Sequence, residues 1–204
     1  MQEGIFYVII YETFLIRQSL YKCKEVIKMD EQELVCRAKL GDKEALNEIV
    51  DMHYDEIYKF IYRRMGNKAA AEDVTQDTFI KFIKNLPYYK EKNKLKSFLF
   101  TIAINTSNDF FRRHKQETSL LSLDNVGEEI TEEGTEDEIL QKEEALIVRE
   151  AVLSLPDVQR DVIILRFYHD LKIKEIASVQ KVPVPTVKTR LRRALKALKE
   201  CELW

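Results

Sequence analysis

The stretch Ile173–Lys199, IKEIASVQKVPVPTVKTRLRRALKALK, sets the reading of the whole chain. Its first part, Ile173–Gln180, is a short helix in which Ile176 and Ala177 are placed to pack, and Ala177 is small enough for a second helix to cross closely above it. Val182-Pro183-Val184-Pro185 makes a tight connection, because a proline holds the residue before it extended and is itself tolerated in a helix's first turn. Helical spacing returns in Val187, Leu191, Ala194, Leu195 and Leu198, an apolar stripe that must be buried. The other side carries Lys188, Thr189, Arg192, Arg193, Lys196 and Lys199. An apolar stripe that fixes the helix to a scaffold, with donors projecting from its first turns, is what a recognition helix in a major groove requires. Arg and Lys can read guanine edges, and Thr a base or a phosphate. Arg190, Arg193, Lys196 and Lys199 are suited more to phosphate neutralisation. Taken alone, the basic stripe favours a solvated face of a bundle helix. Combined with the short helix and the tight turn, it points to a helix-turn-helix and to DNA.

Outward from this stretch, the composition is that of an all-α protein. Hydrophobic residues make up 45% of the 204 residues and charged ones 33%, with only five glycines and four prolines, which favours long helices over turn-rich sheet. The formal net charge of −2 hides a segregated chain. Charges from Lys172 to Lys199 are nearly all basic, while those from Asp124 to Glu144 are nearly all acidic. Cys23, Cys36 and Cys201 are odd in number, far apart and free of CxxC pairing, so neither a disulfide framework nor a zinc site is indicated and a reducing, cytoplasmic setting fits. Ile5–Ile16 is apolar, yet short for a span of about 20 residues, and it contains Glu12. It also lacks a basic leader and a small-residue cleavage site, so no stable membrane insertion is expected.

Upstream, Asp30-Glu31-Gln32-Glu33 reads as a helix start with Asp30 as cap and Glu33 completing the box. Met29 immediately before it is expected to be the natural start, with 1–28 an extension. Leu34, Val35 and Ala38 form a short apolar stripe, Gly41 ends that helix and Asp42 caps the next. Leu46, Ile49, Val50, His53, Ile57 and Ile61 share one face of a second helix that closes at Gly66. Asn67 caps a third, with Ala71, Val74, Thr78, Phe82 and Leu86 inward before Pro87 stops it. A fourth runs from about Leu95 to Arg113 with Phe98, Ile102, Ala103, Thr106 and Phe110 inward. Four amphipathic helices can share one core. From about Lys115 to Glu138 the pattern breaks into Ser, Thr, Gly and acidic residues, the composition of a solvated linker. The expected organisation is a domain over 29–114, an acidic linker over 115–138 and a second domain over 139–204.

On the third helix Glu72, Asp73, Gln76 and Asp77 project opposite the core with Phe79 and Ile80 close by, a mixed acidic and apolar surface suited to a protein partner. The fourth helix puts Thr101, Asn105, Asn108, Asp109, Arg112 and Arg113 on one exposed side, donors and acceptors that suit bases and phosphates. Tyr88, Tyr89, Lys90, Lys92, Lys94 and Lys96 lie just before it, where unpaired bases can stack on rings.

These residues also carry a family resemblance. Leu155-Pro156, Arg160, Leu165, Lys174-Glu175-Ile176-Ala177 and Thr186-Val187-Lys188-Thr189-Arg190-Leu191 resemble region four of the extracytoplasmic-function sigma factors of bacterial RNA polymerase, across most of residues 140 to 200. That resemblance implies binding to the −35 promoter element, with Thr186, Lys188, Thr189, Arg190, Arg192, Arg193 and Lys196 at the DNA, and to the polymerase flap. Ala71-Glu72-Asp73-Val74-Thr75-Gln76-Asp77-Thr78-Phe79 resembles the region-two segment that grips the coiled coil of the largest polymerase subunit. It implies core-polymerase contacts at Asp73, Gln76, Asp77, Phe79 and Ile80. Ser97-Phe98-Leu99 through Ile102-Ala103, Asn105, Asp109 and Arg112 is similar to the −10 recognition helix, with Phe98 in place of the usual tryptophan. It implies contacts to the melted −10 element by Tyr88, Tyr89, Thr101, Asn105, Asn108, Asp109, Arg112 and Arg113. Three positions depart from the family: Lys181 replaces a turn glycine, Gln180 an apolar residue and Pro185 a glycine.

An anti-sigma factor is a further partner the resemblance implies, and no cofactor is expected. Catalysis is not expected either, since there is no phosphate-binding glycine loop and His53, His114 and His169 are scattered. The alternative is a conventional helix-turn-helix regulator with an N-terminal effector or dimerisation domain.

Overall fold

The computed structural model describes residues 31–90, 94–117 and 146–200, all of them helical or connecting. The Asp30 cap, the segment before it, Cys23, Cys201, Lys92 and the acidic stretch 118–138 fall outside the described residues.

Short polar signals set the helix boundaries. Helix α1 (Glu31–Lys39) gives way to Gly41 at φ 92°, a left-handed conformation that only glycine adopts without cost. Asp42 caps α2 (Lys43–Met65), its Oδ1 accepting from the Glu44 and Ala45 amides at 2.9 and 3.2 Å. Helix α2 ends at Gly66, φ 74°, whose N–H donates to Tyr62 O. Asn67 then caps α3 (Lys68–Asn85) by accepting from the Ala70 amide at 2.9 Å. Leu86–Tyr88 forms a 3-10 turn containing Pro87, and α4 spans Leu95–Glu117. Leu34, Ile49, Ile57, Ile61, Phe82 and Leu99 of these four helices are fully buried, each contributing about 1.5–3 kcal/mol by burial. Thr75 and Thr78 are also inside, their hydroxyls satisfied by donation to Ala71 O and Val74 O.

A second cluster begins with α5 over 146–154 and α6 (Asp157–Ile163), which runs on into a π-helical turn, Ile164–Tyr168. Arg160 explains the tight α5–α6 corner. Its guanidinium donates to Val152 O, Leu153 O and Leu155 O, the carbonyls a helix end leaves without intrahelical partners. Helices α7 (Ile173–Gln180) and α8 (Val184–Glu200) follow. Val162, Ile164, Leu165, Ile176, Val187, Ala194 and Leu198 form the interior.

The two clusters expected from the sequence are therefore present, and they are packed on one another. Helix α2 meets α6 and the π turn, and α4 meets α7. The sequence pattern carries no sign of that packing. Among the described residues no helix is long and apolar enough to cross a membrane.

Candidate nucleic-acid interface

Helix α8 is held by Val187, Ala194 and Leu198 on its buried side, with Leu191 partly covered. Leu195, expected inside, is instead 37% exposed, because it lies one residue off that stripe and faces outward with Arg192. The turn before α8 is closed by two bonds, Lys181 N–H to Ser178 O at 3.2 Å and Val182 N–H to Ala177 O at 3.0 Å. Lys181 sits at φ 53°, so the position that favours glycine in the resemblance is left-handed here too. Pro183 supplies the first acceptor, its carbonyl receiving the Thr186 and Val187 amides. Pro185 falls in the first turn, where its missing N–H leaves nothing unsatisfied.

Lys188, Arg192 and Arg193 are exposed and engage no hydrogen-bond or ionic partner among the described residues. Lys196 is exposed with Glu200 at 3.5 Å. Thr186, Thr189 and Arg190 are half-buried. Thr189 Oγ1 donates to Pro185 O, and Arg190 donates to Gln180 Oε1 at 2.8 Å. Gln180 in turn donates to Val158 O, so the polar residue at a usually apolar place braces Arg190 against α6.

The −10 set divides. Asn105, Arg112 and Arg113 are exposed on α4. Asp109 is held well below the usual carboxylate range, first by the Lys81 ammonium at 3.0 Å and then by Arg112 and Arg113. Arg113 lies 3.9 Å from Asp77. Asn108 is exposed but accepts from Arg64 at 2.6 Å. Thr101 donates to Ser97 O and reaches Val179 O of α7 at 3.4 Å. That places it under the second cluster rather than in solvent. Tyr88 is 82% exposed, whereas Tyr89 is only 7% exposed. The Tyr89 ring lies 4.9 Å from Phe98 with Lys39 over it, so it packs at the helix end and is not free to meet a base. Lys90 is exposed. Lys94 and Lys96, expected near the displaced strand, instead pair with Glu175 at 2.7 Å and Glu56 at 2.6 Å.

On α3, Asp73, Gln76 and Ile80 are exposed and Asp77 half-buried. Phe79 is 5% exposed and stacks on Tyr54 at 5.7 Å. Spaced four residues after Thr75 and three before Phe82, it shares their inward face, which corrects its assignment to the surface. Tyr54, Tyr58, Glu72 and Gln76 line a shallow groove beside it. Tyr54 was not foreseen, because on α2 it flanks the apolar stripe.

A helix-turn-helix with free basic donors, joined to a four-helix cluster with a second polar helix face, defines a two-part helical protein of the DNA-engaging transcription class. Comparison with known proteins narrows the class to one family. Sigma-70 region 2 matches residues 49–117 and sigma-70 region 4 matches 145–198. The ECF RNA polymerase sigma factor SigW of Bacillus subtilis (strain 168) is 34% identical over 173 residues, 80% of this chain and 92% of that protein. CnrH, solved in complex with the cytosolic domain of CnrY, shares the fold at 20% identity and a TM-score of 0.64, over 83% of this chain and 95% of that one. The sigma factor RpoE of Bartonella quintana, solved with the anti-sigma factor NepR, does so at 24% identity and a TM-score of 0.62, over 76% and 94%. The chain belongs to the ECF-type sigma factors of the sigma-70 family, subunits that bind RNA polymerase and recognise promoters. It is an initiation factor and not an enzyme.

Proposed function

We propose that 29–114 holds core polymerase through the exposed residues of α3 (Asp73, Gln76, Asp77 and Ile80) and engages the melted −10 element through Tyr88, Asn105, Asn108, Asp109, Arg112 and Arg113. Helix α8, in 139–204, lies in the major groove of the −35 element. Lys188 reads base edges there together with Arg193, whose exposed guanidinium is free for a base as well as for the phosphate role its place on the stripe suits. Thr186 and Thr189 touch a base or a phosphate, and Arg190, Arg192 and Lys196 neutralise phosphates. Residues 115–138 connect the two. The observation that carries this reading is the contrast on α8: its apolar stripe is buried, while Lys188, Arg192 and Arg193 are unpaired among the described residues and point away from the fold.

Two weak grips joined through polymerase become one strong grip by effective concentration. An anti-sigma factor is the second proposed partner, supported by the similarity to a sigma factor solved with NepR.

The test is promoter-dependent transcription by core polymerase reconstituted with the full chain. Lys188→Ala and Arg193→Ala are each expected to weaken output from promoters with an intact −35 element by about 1–3 kcal/mol, the usual worth of a base-reading contact. They should leave core binding unchanged. Equal output and unchanged promoter choice in both variants would remove α8 from the −35 element.

A further inference from the structure

Where the two clusters meet, ordinary apolar packing is interrupted by two buried polar locks, each made of groups from both sides. In the first, Arg64 of α2 is 1% exposed and Asp161 of α6 3% exposed, with Nε to Oδ1 at 2.6 Å. The same guanidinium donates to Asn108 on α4, and the Arg64 carbonyl accepts from Arg160 at 2.9 Å. In the second, His169, 4% exposed at the end of the π turn, makes T-shaped contacts with Phe60 and Phe100, ring centroids 5.8 and 5.0 Å apart. Its Nδ1 lies 3.3 Å from Glu56, and Lys96 donates to the His169 carbonyl at 3.1 Å while also pairing with Glu56. His169 Nε2 is buried with no hydrogen-bond partner among the described residues.

We infer that these locks hold the free chain in a closed state, and that His169 makes closure sensitive to protons, so that acidification through the histidine range releases the helix-turn-helix cluster from the four-helix cluster. The chemistry lies in the orphaned Nε2. A neutral ring can leave that nitrogen as an unprotonated lone pair in its buried surround. An imidazolium would place an N–H there with no acceptor, which a buried site resists. The charged groups facing the ring are Glu56 and Arg63 from α2 and Lys96 from α4. Burial opposes the imidazolium most, Glu56 favours it, and both cations oppose it, so the net direction is down from the ordinary histidine value. A histidine freed to solvent on opening regains that value. The open state therefore takes up the proton, and acid favours it.

Closure also bears on the −10 surface, and this consequence rests on the proposed function: Asn108 is bound to the Arg64 lock. Engagement of the −10 element through Asn108 then requires the first lock to part.

The test reads distance and not transcription, so its failure is separable from failure of the promoter assignment. Spin labels at Asp51→Cys and Lys199→Cys, both exposed, are placed on the full chain with Cys23, Cys36 and Cys201 replaced by Ser. Pulsed electron resonance then gives the separation distribution. Between about pH 7.5 and about pH 5.5 the open-to-closed ratio is expected to rise up to about tenfold, the limit for one group that regains a pKa of about 6.5 on opening. His169→Phe keeps the aromatic box without that proton site, and it should lose the histidine-dependent rise over that range. Asp161 also changes environment on opening, and it is retained in His169→Phe, so the difference between the two proteins isolates the histidine. Asp161→Asn strands Arg64 and should populate the longer distance at both pH values. Arg64→Met with Asp161→Leu removes both charges and should restore the short one. A pH-independent distribution in the parent, or an equal response in His169→Phe, overturns the proton lock. A short distance retained in Asp161→Asn, with native helix content, overturns the first lock.

Discussion

Lys181 occupies a left-handed turn position, φ 53°, where a Cβ meets the following carbonyl. Replacing it by glycine removes that strain but adds freedom to the unfolded chain, so Lys181→Gly should raise stability by a net of about 0.5–1 kcal/mol. Urea unfolding with an unchanged slope would check it. Arg64 predicts the opposite sign. Arg64→Ala leaves Asp161 buried and uncompensated and should cost about 3–5 kcal/mol, whereas the Arg64→Met, Asp161→Leu pair should come close to parity. Calorimetry on the two proteins separates the cases. Side-chain burial was the least legible property in the sequence. Tyr89 and Phe79 look like surface aromatics beside polar neighbours, yet each falls within the reach of a ring on another segment, Phe98 and Tyr54. Helical spacing with Thr75 and Phe82 does place Phe79 inward, whereas no spacing rule along the chain discloses the Phe98 ring that covers Tyr89.

The helices were legible where local chemistry fixes their ends. Asp42, Asn67, Gly41 and Gly66 each perform the capping role their residue type suits, and the helix-turn-helix followed from Ala177, the proline pair and the basic stripe. The π turn at Ile164–Tyr168 was not legible, since its apolar residues fit an ordinary helix equally well. Extra hydrogen-bond spacing of this kind occurs mostly where a site or joint needs a side chain re-aimed. Here it delivers His169 to the junction and lets the Leu171 amide return to Leu165 O at 3.0 Å. For α8, Arg192→Ala with Lys196→Ala should act on DNA without regard to sequence. The slope of log affinity against log salt for holoenzyme on −35 duplex should flatten by about 2, close to one for each phosphate no longer neutralised. A slope equal to the parent's would take these residues off the backbone.

Acid should loosen the packed chain in two stages, set by groups whose charge is fixed by the junction. His169 is held neutral by burial, below its ordinary 6.5, so its contribution is complete above that value and is lost as pH falls beneath it. Glu56 is opposed by its own burial, yet the His169 hydrogen bond and the Lys96 charge take its carboxyl from 4.5 down to about 2. Its stabilisation is therefore present above 4.5 and disappears only as pH falls toward about 2. Thermal midpoints followed from neutral pH downward should fall first in the histidine range and again in the carboxylate range. His169→Phe should lose the first decline and, because the Glu56 carboxylate then keeps only Lys96, move the second to higher pH.

Gly66 stands at this junction with Leu153 over it, and a methyl group built at its α-carbon would come within 3.0 Å of the leucine Cδ1. The backbone there is already left-handed, φ 74°, so alanine would be strained by about 1 kcal/mol before it touches anything. The smallest possible side chain thus becomes a wedge: it presses on Leu153 from the end of α2, two residues beyond Arg64. A chain carrying that one added carbon would be expected to live further ajar than its parent while keeping every residue that meets polymerase or DNA.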